Sequence, residues 1–321
     1  MTEAKSRFAT ALSASTTKPN LSVTQSITIR LRGADDLELA AEVYGPLTGD
    51  PILLLHGMGQ TRHSWGDSAR SLSQAGWRVT AVDLRGHGDS DWPSERAYEH
   101  EDFARDVVAL CESDEIASAT KRPIVIGASL GGMSSMIAQA FVDTQLYRGI
   151  ALVDIAPDVD MEGGKRIMNF MLGSADGFTD LEEAAQKIGA YRGGERQPSK
   201  RGLERVLRLK EDGRWYWHWD PRMLDNRRRW VNDADAAAAY SEKIRTSMVA
   251  GGSRIEVPIL LVRGGSSDVV SAEAARKMLS YFPEARFVDV ADASHMVAGD
   301  ANDAFSEAIL GFVNDVRNGE L

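Results

Sequence analysis

The sequence predicts an α/β fold: a mostly parallel, doubly wound sheet with a helical cap inserted after its sixth strand. Three observations carry that expectation. Five short runs are apolar almost end to end, namely ILLLH (Ile52–His56), VTAVD (Val79–Asp83), IVIG (Ile124–Gly127), IALVD (Ile150–Asp154) and ILLVR (Ile259–Arg263). A strand without polar alternation is covered on both faces, as in a parallel sheet held between helix layers. Helical patterns separate the runs, and that βαβα order makes a doubly wound domain. The rhythm then stops between about Asp158 and Glu256, where no parallel-strand run occurs.

Taken in order, residues 1–21 are rich in Ser, Thr and Ala with no sustained period, and a mobile tail is expected there. SITIRLR and LELAAEVYG read as two strands around the turn Gly33–Asp36, a hairpin. Helical patterns at Ser64–Ala75, Glu101–Cys111 and Ser129–Phe141 follow the first three apolar runs. The core is therefore expected over 22–157 and 257–321, with the cap over 158–256. Within the cap, Thr179 and Glu182 have capping-box spacing ahead of LEEAAQKIGAY. LERVLRL continues the helical pattern, and RWYWHWDP (Arg214–Pro221) concentrates aromatics. A structureless loop of this length is uncommon inside a compact domain, so a small insertion domain is the better account. Open α/β sheets place ligands at the C-terminal edge of their strands, and the cap is expected to cover that edge. Ser271–Tyr281, a strand at Ala285–Val290 and a helix at Ala301–Val316 close the chain.

Composition limits the function. The chain has 321 residues, 43% hydrophobic and 26% charged, enough apolar content for a sizeable core and unlike a disordered or fibrous protein. The net charge of −10 repels phosphate backbones, so nucleic acid is not expected as a partner. The single cysteine, Cys111, offers neither an intramolecular disulfide nor a metal cluster, and its apolar surroundings predict a buried structural thiol. No run reaches the ~18 apolar residues of a membrane span. The stretch after Lys5 and Arg7 is too short and polar for a secretory leader. These readings predict a soluble, cytoplasmic chain without a membrane partner.

The strongest chemical signal is Gly127-Ala128-Ser129-Leu130-Gly131, between a strand and a helical pattern. A serine hydroxyl attacks only when held near a base and clear of its own backbone. A tight strand-to-helix turn does that, with Gly127, Gly131 and Gly132 giving room for strain and close helix packing. Such an elbow calls for an acid and then a histidine further along the chain. Asp268 lies just past ILLVR, and His295 follows ARFVDV, so both fall at the same sheet edge as Ser129. His295 would take the serine proton while Asp268 held the imidazole's tautomer and stabilised its charge. Asp154, which also ends a parallel strand, is the rival acid; its VDIAP context reads as a turn-setting Asp and Pro. Asp292 and Asp300 suit loop or helix-cap roles.

His56 and His87 precede glycines upstream of the elbow and are expected to be structural. His63 and His100 carry no motif, and His218 could line a pocket among the cap aromatics. A tetrahedral oxyanion needs donors already in place. The Leu130 amide sits at a helix N-terminus, and the Met58 amide lies in LLLHGMGQ, the loop after the first parallel strand. Trp215, Tyr216, Trp217 and Trp219 read mainly as cap packing. Arg222 and Arg227–Arg229 could attract a carboxylate, although such runs are more often solvated helix faces.

With these motifs in place, LLLHGMGQTRHSW, VDLRGHGDSD, VIGASLGGM, LLVRGGSSDVV and DASHM, the chain resembles the α/β-hydrolase superfamily from about Leu21 to its end. It looks like the bacterial serine esterase and cofactor-free haloperoxidase branch. The resemblance implies Ser129 as nucleophile, Asp268 as acid, His295 as base and the Met58 and Leu130 amides as oxyanion donors. It implies that VDLRGHGDSD shapes the core loop. Dehalogenase and epoxide-hydrolase relatives need an aspartate where Ser129 stands. The expected activity is hydrolysis of a small carboxylic ester or lactone through an acyl-enzyme, with no cofactor and no metal. The alternatives are perhydrolysis with the same three residues, carbon–carbon bond hydrolysis, for which the loop HGMGQTRHSW lacks the usual extension, and a non-enzymatic ligand-binding homologue.

Overall fold

The computed structural model describes residues 25–95, 97–117, 121–191, 198–225, 227–291 and 303–321; the tail expected over 1–21 and the loop bearing His295 lie outside them. The strands of the first half are β1 (Ser26–Arg32), β2 (Glu38–Tyr44), β3 (Pro51–Leu55), β4 (Arg78–Val82), β5 (Ile124–Ala128) and β6 (Gly149–Val153). Two short strands follow, β7 (Leu207–Leu209) and β8 (Trp215–Trp217), and then β9 (Ile259–Gly264) and β10 (Arg286–Val290). Eight of them form one sheet in the order β1-β2-β4-β3-β5-β6-β9-β10. β1 and β2 pair antiparallel, as the hairpin reading expects, and β2 joins β4 antiparallel. The rest of the sheet is parallel.

The parallel strands β3, β4, β5, β6 and β9 are buried on both faces, which is what their apolar runs require, whereas the edge strand β10 is partly exposed. In β3, Leu53 and Leu55 enter one core while Ile52 and Leu54 enter the other, because successive side chains point to opposite faces. The first core is covered by α2 (His100–Glu112) and α3 (Leu130–Ala138). The second holds Trp65, Leu72, Trp77, Phe305 and Phe312, against α1 (Gly66–Gln74) and the C-terminal helix. Cys111 lies in the first core, where burial pushes its thiol pKa up, so it is a structural residue.

Between β6 and β9 the chain forms an insert with α4 (Met161–Gly173), α5 (Leu181–Tyr191), α6 (Lys200–Val206), α7 (Arg228–Asn232) and α8 (Ala234–Gly252). α9 (Ala272–Tyr281) and α10 (Asp303–Asn318) complete the fold. The insert departs from its sequence reading in two places. LERVLRL is helical only to Val206; Leu207–Leu209 turns into β7 and pairs antiparallel with β8, which carries the aromatic run. Aromatic side chains suit a pleated strand, and Gly213 at φ +79° supplies the turn between the two. The cap of α5 also sits one residue later than the Thr179/Glu182 spacing predicts. The Asp180 carboxylate accepts from the Glu183 amide, and Glu183 reaches back to the Thr179 amide and hydroxyl.

The insert is tied to the core from two sides. Beside the loop after β4, the Gly88 amide donates to His218 O (2.7 Å) and the Asp220 amide to Gly86 O (2.8 Å). The Tyr98 hydroxyl donates to Asp220 (2.6 Å), and Arg222 donates to Pro93 O and Ser94 O. Arg227 is buried and donates to Met223 O and Tyr98 O, whereas Arg228 and Arg229 are exposed. The solvated-face reading therefore holds for two of the three arginines, and Arg222 and Arg227 serve as ties between insert and core. On the other side, the Asp160 amide donates to Val269 O (2.8 Å), and a Cβ on Gly163 would stand 2.0 Å from Asp268 O.

Candidate active site

β5 runs directly into Ser129, whose backbone sits at φ 44° and ψ −112° before α3 begins. A non-glycine residue held there stores roughly 1–3 kcal/mol of strain, which only tight surroundings can maintain. Those surroundings explain the glycines. A Cβ on Gly127 would lie 2.5 Å from the Gly132 amide nitrogen, one on Gly132 would lie 2.6 Å from Gly127 O, and one on Gly131 would lie 2.4 Å from Leu55 O. Ala128 and Leu130 are buried while Ser129 is only partly so. The Ser129 side chain makes no cap hydrogen bond.

The loop after β3 presses against this turn: a Cβ on Gly57 would stand 3.3 Å from Ser129 Cβ. Most amides around the elbow are committed. Gly57 donates to Gln60 Oε1 (3.0 Å), Gln60 to Gly57 O (3.1 Å), Gly59 to His87 Nε2 (3.1 Å) and Gly131 to His56 O (3.1 Å). Among the described residues, the Met58 and Leu130 amides find no protein acceptor. These are the two donors the sequence assigns to an oxyanion.

His56 and His87 fix the loop. The Leu84 amide donates to His56 Nε2 (3.0 Å), so the proton lies on Nδ1, which donates to Gly57 O (2.8 Å). His87 takes the same tautomer, accepting from Gly59 at Nε2 and donating from Nδ1 to Arg85 O (3.0 Å). Both rings are fully buried and in edge contact at 5.0 Å. Burial lowers their pKa values to about 4 for His56 and about 3 for His87, so both are neutral at pH 7. The next loop is held by Asp83, which accepts from the Arg62 and Asp89 amides and pairs with the Arg62 guanidinium. A Cβ on Gly88 (φ +54°) would lie 2.1 Å from the Asp83 carboxylate, so RGHGDS is an architectural loop.

The two acids at neighbouring strand ends differ. Asp154 follows β6 at φ 50°, is fully buried, and accepts from the Gly264 amide (3.1 Å) and the Ser267 hydroxyl (2.6 Å). Asp268 follows β9, is about one-third exposed, and pairs with Arg166 of α4 at 2.5 Å. Ser267 turns inward to Asp154 while Asp268 turns outward to the insert. His295, Asp292 and Asp300 lie outside the described residues. Of the other histidines, His63 faces Glu42 (3.6 Å), His100 meets the Tyr240 hydroxyl (2.7 Å), and His218 is drawn toward Asp89 (3.8 Å).

The aromatic run divides by position. Trp217 packs edge-on against Phe170 and Phe178 and donates its indole N–H to Ser174 Oγ (2.9 Å), which is insert packing, as expected. Trp219 instead reaches the loop after β3. The point that a Cβ on Gly59 would occupy is 3.7 Å from Trp219 Nε1 and 3.2 Å from Met171 Cε. Sequence reasoning did not separate Trp219 from its neighbours; its only local signal is the step from β8 toward the RGHG loop. Among the described residues no group of three or more His, Cys, Asp or Glu could hold a metal ion, and no helix is long and apolar enough to cross a membrane.

A family model described as the alpha/beta hydrolase family matches residues 52–308, and the chain belongs to that family. It is similar to the 2-(acetamidomethylene)succinate hydrolase of Mesorhizobium japonicum, 27% identical over 88% of this chain and 93% of that protein. Similarity to Esterase YbfF of Escherichia coli is 26% identity over 83% of this chain and 93% of the relative. The crystal structure of an E-2-(acetamidomethylene)succinate hydrolase superposes with a TM-score of 0.72, at 24% identity, over 90% of this chain and all of that one.

Proposed function

We propose that this α/β hydrolase cleaves a small carboxylic ester or lactone through an acyl-enzyme beneath a cap formed by the insert. The observation that carries the reading is Ser129: a partly exposed hydroxyl on a strained strand-to-helix turn, next to the Met58 and Leu130 amides, which have no acceptor among the described residues. Ser129 attacks the carbonyl and His295 takes its proton. The Met58 and Leu130 amides hold the oxyanion, the alcohol leaves with the proton from His295, and water activated by His295 releases the acid. The names of its relatives support ester hydrolysis as the reaction class. One relative is named for a succinate substrate that carries an amide, so the acyl chemistry need not be confined to simple alkyl esters.

Chain order allows either acid to orient His295. Asp268 holds the position the superfamily resemblance implies. Asp154 is favoured by its surroundings, because an orienting carboxylate works best when buried and fixed, and the Asp268 carboxylate is already engaged by a guanidinium. We adopt Asp154 as the acid and keep Asp268 as the second reading. The test of the nucleophile is covalent labelling. A p-nitrophenyl phosphonate should modify Ser129, with peptide mapping by mass spectrometry as the readout, and Ser129→Ala should remove both labelling and ester turnover. An adduct on any other residue overturns the assignment.

A further inference from the structure

Six tryptophans, all but Trp92, lie in or against the cores, and the indole N–H groups of five of them meet different fates. Among the described residues, those of Trp65, Trp77 and Trp230 are sealed from solvent without a partner, and that of Trp217 donates to Ser174. Trp219 is only 3% exposed, yet its indole nitrogen lies beside Gly59, is not among the sealed ones, and makes no hydrogen bond among the described residues. A buried donor usually has a partner, and one left open at the rim of a reaction site is available to a ligand.

The position of that N–H is set by the same residues that set the oxyanion loop. Trp219 and His87 form an antiparallel bridge, flanked by the Gly88–His218 and Asp220–Gly86 hydrogen bonds. His87 holds the Gly59 amide through Nε2, and the Trp219 ring returns over the same glycine. Behind it, Trp219 stacks on Trp217 at 6.3 Å, itself anchored by Ser174. Gly59 stands next to Met58 in the chain and has φ +76°, so the loop cannot readily carry a side chain that would fill this space. Met171 closes the other side with an apolar group. A substrate lying over the loop therefore meets the Trp219 indole nitrogen beside the Met171 methyl, in addition to the backbone amides next to Ser129.

Resting on the ester-hydrolase reading, we propose that Trp219 is a substrate-binding residue: its indole N–H donates to an acceptor oxygen carried by the substrate beyond the scissile ester group. The preferred substrates are esters bearing a second oxygen function, and purely alkyl esters of the same size are poorer. A site built to satisfy a polar group rejects the analogue that lacks it, because the donor is then left unpaired.

The test uses two isosteric ester pairs. p-Nitrophenyl methoxyacetate and butyrate place the oxygen or a methylene on the acyl side; 2-methoxyethyl acetate and butyl acetate do so on the alcohol side. The wild-type chain should favour the oxygen ester of one pair beyond its advantage in hydroxide-catalysed hydrolysis. Trp219→Phe keeps the stacked ring and removes the N–H, and it should reduce that preference about fivefold. A role limited to packing would lower both members of a pair equally. An unchanged preference in Trp219→Phe, or a wild type without any oxygen preference, overturns the proposal. If the wild type cleaves none of the four esters, or Ser129→Ala cleaves them as well, the ester-hydrolase reading itself falls and this role with it.

Discussion

The ends of β6 and β9 each present an aspartate to the same sheet edge, and they are held in opposite ways. Asp154 is fully buried and accepts from the Gly264 amide and the Ser267 hydroxyl at the sheet's own rim. Asp268 is held by Arg166, a residue of the insert, and its backbone is packed against Gly163 of the same helix. One acid belongs to the rigid scaffold, and the other belongs to the contact between scaffold and insert. A carboxylate's place in the chain is thus a poorer guide to its chemistry than what already occupies its oxygens.

The sharpest way to break the comparison is to neutralise each acid. Asp154→Asn should cut kcat of ester turnover by about 10⁴-fold, the size of effect seen when the orienting acid of such a site is lost. Asp268→Asn should leave activity within about tenfold of wild type, since a half-exposed pair is worth less than ~1 kcal/mol. The reverse ranking transfers the orienting role to Asp268.

A smaller effect probes the scaffold alone. His87→Ala releases the Gly59 amide and lets the loop after β3 shift, and, if that loop carries the proposed oxyanion donor, a misplacement of about 1 Å costs on the order of 10²-fold in rate. The loss should appear in kcat more than in KM, measured by steady-state kinetics.

The buried histidines also make stability depend on pH. In the unfolded chain a histidine binds its proton near pH 6.5, whereas the folded values are about 4 for His56 and about 3 for His87. The unfolded state therefore holds more protons below pH 6.5, and stability, complete above that pH, falls as the pH drops toward those values. Thermal melts should show Tm declining from pH 6.5 to pH 4.5, and a folded His56→Gln variant should decline less steeply. The smallest expected effect is at the insert contact: Arg166→Gln should shift Tm by less than about 2 °C, because exposed ion pairs contribute little. A large Tm loss there would make Asp268 and Arg166 a principal fastening of the insert.

Much of the scaffold is legible in the chain. The unbroken apolar runs mark strands buried on both faces, and all five appear in the sheet. The elbow is legible too, since Gly127, Gly131 and Gly132 occupy positions where backbone meets backbone at distances no side chain tolerates. The insert was harder to read. Its β7–β8 hairpin pairs an aromatic strand with Leu207–Leu209, which helical periodicity hides, and its α5 cap depends on which of two adjacent polar residues reaches the open amides.

The sequence by itself determined the sheet, the turn that bears Ser129 and the amides beside it, because those features arise from local rules of periodicity, glycine tolerance and strand burial. Only the tertiary structure decided that Ser267 binds Asp154 while Asp268 pairs with Arg166, that His87 and Trp219 converge on one glycine, and that Arg222 and Arg227 fasten the insert. Each of these depends on which groups from distant segments meet and satisfy one another, and no local pattern records that.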